Sequence, residues 1–160
     1  MERYIKKILA ANVYDIAEQT PLEFADNLTK KLGIHVLLKR EDLQPIFSFK
    51  IRGAFNKMYQ LSSDAKARGI ITASAGNHAQ GVALAARKLG LEAHIVMGES
   101  TPSIKTNSVG ALGGRVILKG DSYDEAAWHA TALAKKHGYT YVHPFDDEDV
   151  IAGQGTIGME

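Results

Sequence analysis

The chain is predicted to be an α/β protein, an open and mostly parallel twisted sheet with helices on both faces. Three observations lead there. Short β-branched runs (Gly69-Ile70-Ile71-Thr72-Ala73, Glu92 to Met97, Arg115-Val116-Ile117-Leu118 and Tyr139-Thr140-Tyr141-Val142) alternate with segments that read as helices. Glycine closes the helical segments, at Gly90, Gly113-Gly114 and Gly138. The helical segments between the strand runs are 10–17 residues long, the length of crossovers in a parallel sheet covered by helices on both faces.

Taken in order, Tyr4, Ile5, Ile8 and Leu9 fall at helical spacing and predict a short amphipathic helix over 2–11. Thr20-Pro21-Leu22-Glu23-Phe24 is expected to be extended, because proline pushes its predecessor out of the α region. Asn27 to Leu32 predicts a turn of helix closed by Gly33, and Ile34 to Lys39 a strand. Ser48 is placed to cap a helix over about 49–61. Further helices are predicted over 77–89, 102–111 and 121–137. Gly153-Gln154-Gly155-Thr156 reads as a turn entering another helix, so the chain is expected to be the N-terminal part of something longer.

The bulk properties narrow the function classes. The 160 residues are 45% hydrophobic, enough for a core, and the net charge is +1 with both signs spread evenly. No nucleic acid and no membrane surface is therefore expected as partner. There are no cysteines, which removes disulfides and thiolate metal sites. The charged N-terminus has no apolar stretch of a signal peptide, and no run of ~18 apolar residues exists, so a cytoplasmic protein is expected.

Two runs carry candidate chemistry. Ser48-Phe49-Lys50-Ile51-Arg52-Gly53-Ala54 sets one lysine at the mouth of a predicted helix, between two apolar neighbours. A lysine is ordinarily solvated, but an apolar setting depresses an amine's pKa and favours the neutral nucleophile. Arg52 would push the same way only if it pointed at the amine. Ser74-Ala75-Gly76-Asn77-His78 follows a strand and opens a helix, where free N–H groups attract an anion and small residues admit it. A plain cap by Ser74 or Asn77 would give the same pattern, and a histidine such as His78, taken alone, is more often structural than a base. Lys39-Arg40-Glu41-Asp42 reads as a solvated cluster and 146–149 as a solvated loop and helix start. The acidic spacing matches no metal loop, and no metal site is expected. Tyr123 and Trp128 are expected to pack.

These runs resemble the pyridoxal-phosphate enzymes of the tryptophan-synthase-β fold type, and among them the threonine dehydratases. Thr20-Pro21-Leu22, Lys39 to Pro45, Ser48 to Ala54, Ala73 to Gly81 and Val150 to Thr156 stand in the order and spacing of that family. The stretch from Tyr4 and the run Gln44 to Phe49 are most similar to the biosynthetic enzyme, the first step toward isoleucine. The resemblance implies pyridoxal 5'-phosphate as cofactor, with Lys50 holding it as an imine and then moving the α-proton. It implies Phe49 near the cofactor ring and Asn77 on its 3′-oxygen. It sets Ser74, Gly76, Asn77 and His78 around the carboxylate of an amino-acid substrate. The implied activity is deamination of threonine, and of serine more slowly, in a homo-oligomer. A catabolic dehydratase and a serine racemase are the neighbouring alternatives. The racemases carry serine where this chain has Ala75, and alanine cannot move a proton. The family pattern divides the chain into residues 1–67 of a large domain, a small domain over 68–147, and a return into the large domain over 148–160. The family's glycine-rich phosphate loop lies beyond this chain, so the 160 residues alone are expected to be inactive. A rival of another class is a non-catalytic module that self-associates through uncovered apolar faces.

Overall fold

The computed structural model describes residues 2–160. A parallel sheet of four strands has the order β5-β4-β3-β6, built from β3 (Ile70–Ala73), β4 (Ala93–Met97), β5 (Arg115–Leu118) and β6 (Thr140–Tyr141). Its helices are α5 (Asn77–Leu89), α6 (Ser103–Ala111) and α7 (Tyr123–His137). Strand period divides the buried residues between two faces. Ile70, Ala93, Ile95 and Met97 join Val82, Ala83 and Ala86 of α5 on one side. Ile71, Ala73 and Val96 join Ala126 and Ala130 of α7 on the other. The expected α/β layering is what the structure has, and α5 begins and ends where the sequence predicts. Its C-terminus turns at Gly90, where φ is +69°, a conformation that favours glycine.

The remaining elements are α1 (Glu2–Leu9), the antiparallel pair β1 (Leu22–Phe24) and β2 (Leu37–Lys39), α2 (Asp26–Leu32), a 3-10 turn at Glu41–Leu43, α3 (Lys50–Tyr59), α4 (Ser63–Arg68) and α8 (Glu148–Gly155). A 3-10 turn at Thr156–Met159 closes the chain. Four local expectations change. Helix α4 was not anticipated, although Ser62 caps it by accepting the Ala65 N–H. The strand expected from Ile34 begins at Leu37. Trp128 is 75% exposed and Tyr123 is exposed too, because the inward stripe of α7 is Ala126 and Ala130. Gly153-Gln154-Gly155 lies inside α8, which Asp147 caps by accepting the N–H groups of Asp149 and Val150.

Those glycines serve a helix crossing. A Cβ on Gly153 would stand 2.7 Å from the Arg52 carbonyl oxygen and from the Gly53 Cα. A Cβ on Gly53 would meet the Val150 carbonyl oxygen at 2.7 Å. The backbones of α3 and α8 therefore touch, and the Gln154 side-chain oxygen accepts the Gly53 N–H at 3.2 Å. Such close approach is available only without side chains.

Arg52 completes the anchorage of α3. Fully buried, it points away from Lys50 and donates to both oxygens of Glu41, at 2.8 Å each. It also donates to Glu160 Oε1 at 2.6 Å, to Thr156 Oγ1 at 3.1 Å and to the Glu18 carbonyl at 2.9 Å. Glu41 is thus a partner of a buried cation, not part of a solvated cluster. Burial alone would raise the Glu160 carboxyl. Hydrogen bonds from Arg52, Lys39 and Tyr14 outweigh that and bring it from the usual 4.5 to about 2. Apolar residues of β1 and β2 (Leu22, Phe24, Leu37 and Leu38) are exposed. Among the described residues no helix is long and apolar enough to cross a membrane.

Two outcomes test this frame. Gly153→Ala forces a backbone shift at the crossing and should cost about 2–3 kcal/mol in denaturant unfolding. Glu160 titrates lower folded than unfolded, so its stabilisation is complete above pH 4.5 and is lost as the pH falls toward 2. Over that window the chain should lose on the order of 3 kcal/mol through this group. Glu160→Gln should flatten the loss when urea unfolding is repeated across the same range.

Candidate active site

Three chain segments converge at the C-terminal ends of β3 and β6. The first is the start of α3. Ser48 is buried, and its Oγ accepts the Lys50 N–H at 3.3 Å. The helix begins at Lys50 with Phe49, itself in helical conformation, as its flanking residue, so Ser48 lies one position before the cap expected of it. Ile51, Ala54 and Phe55 sink into the core, which leaves Lys50 on the face toward β6. Its Nζ donates to the Pro144 carbonyl at 2.7 Å and lies 5.2 Å from the centre of the half-exposed Phe49 ring. Partial burial holds the amine below its ordinary pKa. Arg52 adds no repulsion, since it faces the opposite side of the helix.

The second segment is the loop from β3 into α5. Ser74 is half-buried and its Oγ accepts the Gly76 N–H at 3.2 Å, while Gly76 and Asn77 are exposed. The first backbone bond inside α5 runs from Gln80 N–H to the Gly76 carbonyl. The N–H groups of Asn77, His78 and Ala79 precede it and point out of the helix start, the arrangement that receives an anion. A Cβ on Gly81 would stand 3.2 Å from the Lys50 carbonyl carbon and oxygen. One turn into α5, the absence of a side chain lets the loop approach α3.

The third segment, Val142-His143-Pro144, links the other two. The Val142 carbonyl accepts from Thr72 Oγ1 at 2.7 Å and faces His78 Nε2 at 3.0 Å. A carbonyl can only accept, so that nitrogen carries the proton. Burial, with lesser repulsion from Lys50 and His143, holds the His78 ring down to about 4. The ring is neutral at physiological pH and turned inward. Its Nδ1 is buried without a partner, and only its backbone N–H faces the loop's open side. His143 Nδ1 accepts the Asp146 N–H at 2.7 Å, which shapes the turn that presents Pro144.

The sequence-predicted residues thus occupy two facing helix starts. Lys50 and Phe49 sit on one, and Ser74, Gly76, Asn77 and His78 on the other. Sequence reasoning missed the Val142 and Pro144 carbonyls, because backbone acceptors leave no signal in residue type. A cleft of about 170 Å³ adjoins the loop, lined by Ser74, Ala75, Gly98, Thr101 and Ser122. A larger cleft of about 310 Å³, between Lys119 and Trp128, contains none of these residues. The donor set suits a carbonyl cofactor with an amino-acid substrate: a desolvated amine, an adjacent aromatic ring, an exposed amide at Asn77 and a row of free N–H groups.

Comparison with known proteins agrees with that chemistry. The chain is 57% identical over 157 residues to a protein of Arabidopsis thaliana named threonine dehydratase biosynthetic, chloroplastic. That match covers 98% of this chain and 26% of the relative. A Burkholderia multivorans protein named L-threonine dehydratase biosynthetic is 57% identical over 160 residues, covering 98% and 32%. The processed form of threonine deaminase isoform 2 from Solanum lycopersicum superposes with a TM-score of 0.95 at 54% identity, over 99% of this chain and 44% of that one. The chain spans about a third or less of the length of these curated relatives. The family described as "Pyridoxal-phosphate dependent enzyme" matches residues 13–160, nearly all of the sequence, and the chain belongs to that family.

Proposed function

We propose that this chain carries the cofactor lysine and the substrate loop of a pyridoxal-phosphate threonine dehydratase of the biosynthetic kind. Such an enzyme converts L-threonine to 2-oxobutanoate and ammonia, and L-serine to pyruvate more slowly. The observation that supports it most is the partly buried amine of Lys50, held toward β6 opposite the free N–H groups that open α5. The names of the relatives supply the substrate. Isoleucine biosynthesis, cytoplasmic location and homo-oligomeric assembly belong to the same proposal, as does the division into residues 1–67, 68–147 and 148–160.

When bound, the cofactor supplies an electron sink for charge developing at the substrate's α-carbon. Lys50, Phe49 and Asn77 are the residues that would hold it. The chain's own contribution follows from the geometry. Desolvation keeps a larger share of Lys50 in the neutral form, which both attacks a carbonyl and accepts the α-proton at Nζ. The N–H groups at the start of α5, with the Ser74 hydroxyl and the open Gly76, bind the substrate carboxylate and fix which bond at the α-carbon faces Nζ. His78 adds its backbone N–H, while its neutral ring ties the loop to Val142 and takes no part in proton transfer. Ala75 offers no proton on the loop side of the substrate, which favours elimination over racemisation.

The experiment uses the product of the whole reading frame. Lys50→Ala should abolish the absorbance band of covalently held cofactor and lower 2-oxobutanoate formation by about 10³-fold or more. A Lys50→Ala protein that kept both would end the proposal. D-serine in place of 2-oxo acid as the main product from the unaltered protein would move it to the racemases.

A further inference from the structure

We propose that Arg52 is the positioning residue for Lys50: clamped between Glu41 and Glu160, its guanidinium fixes the first turn of α3 and so the direction in which the Lys50 side chain leaves the helix. The inference rests on the reading of Lys50 as the cofactor lysine. Residues two apart on a helix face different ways, so Arg52 touches neither the amine nor the loop at α5. It acts through the shared backbone turn.

The clamp is built from parts far apart in sequence. Glu41 is held by Thr20 Oγ1 at 2.6 Å and by Gln44 Nε2 at 3.2 Å. Glu160 is held by Tyr14 and by Lys39 as well as by Arg52. The guanidinium also reaches the Glu18 carbonyl and Thr156. Four segments, around residues 14–20, 39–44, 52 and 156–160, thereby register on one side of α3. On its other sides the helix meets Gly81 of α5 and Gly153 of α8 at backbone distance. The planar fork with five donors orients a helix as an apolar side chain of equal volume does not. Stability alone gives no reason for it, since buried ion pairs are commonly replaceable by apolar residues without loss. Reactive geometry does, because about 1 Å of misplacement costs on the order of 10²-fold in rate.

Lys57 supplies the comparison. It anchors the other end of α3 through Asp147 at 2.8 Å and Asp149 at 3.3 Å, two residues before the helix's end and distant along it from Lys50. The test prepares the product of the whole reading frame without cofactor and adds pyridoxal phosphate. It follows the rate of covalent capture by absorbance, locates the borohydride-fixed product by peptide mass spectrometry, and records the melting temperature. Arg52→Lys keeps the charge and removes the fork. It should slow capture at residue 50 about tenfold and lower kcat on threonine with KM little changed. Lys57→Met should lower the melting temperature and leave the capture rate alone. Wild-type capture by Arg52→Lys would overturn the proposal, and so would an equal slowing in Lys57→Met. If Arg52→Lys does not fold, Glu41→Gln is read by the same criteria. Capture that persists in Lys50→Ala would overturn the cofactor-lysine reading itself. Capture lost there but normal in Arg52→Lys would overturn only the positioning role.

Discussion

A guanidinium loses several kcal/mol of hydration when it is buried, and recovers it only if charge and hydrogen bonds are supplied in full. Arg52 is supplied by Glu41, Glu160, Thr156 and the Glu18 carbonyl. Those partners come from opposite ends of the chain, so meeting this one demand requires the N-terminal segments, α3 and the chain beyond α8 to assemble together. Burial would lower the guanidinium's pKa, and the two carboxylates more than offset it, so the charge persists. The glycine crossing of α3 with α8 adds to this frame, since Gly53 and Gly153 let the two backbones touch.

The site inherits its geometry from this frame. α3 brings Lys50 forward, and the sheet brings the loop after β3 to meet it. Parallel strands all end on the same side, so the groups at their C-terminal ends collect at one edge without further design. The segment after β6 joins the two halves with backbone carbonyls, one for the Lys50 amine and one for the His78 ring. The polarity is economical: acceptors hold the side chains in place, while the N–H groups at the α5 start remain free for an anionic ligand.

The same geometry separates the candidate residues that face open space from those that hold them. Phe49, Ser74, Gly76 and Asn77 border open space at the two helix starts. The His78 ring is inside, with its proton committed to a carbonyl, and serves as a strut between loop and strand. Exposed Leu22, Phe24, Leu37 and Leu38 on the small antiparallel pair are apolar surface that the described residues do not cover.

Much of this was readable in the residues. The βα alternation, the limits of α5 and the candidate runs at Lys50 and Ser74 all rest on local rules of caps, turns and period, which neighbours in sequence satisfy by themselves. Arg52, Glu41, Gly153 and Trp128 were not readable. A charge beside other charges reads as solvated until a distant partner buries it. A glycine reads as a turn until another backbone occupies its missing side chain. A tryptophan at helical spacing reads as core until neighbouring alanines take the inward face. Local chemistry determined which elements form and which side chains are candidates for chemistry. The tertiary structure decided which way those side chains point, because direction depends on contacts between residues a hundred positions apart.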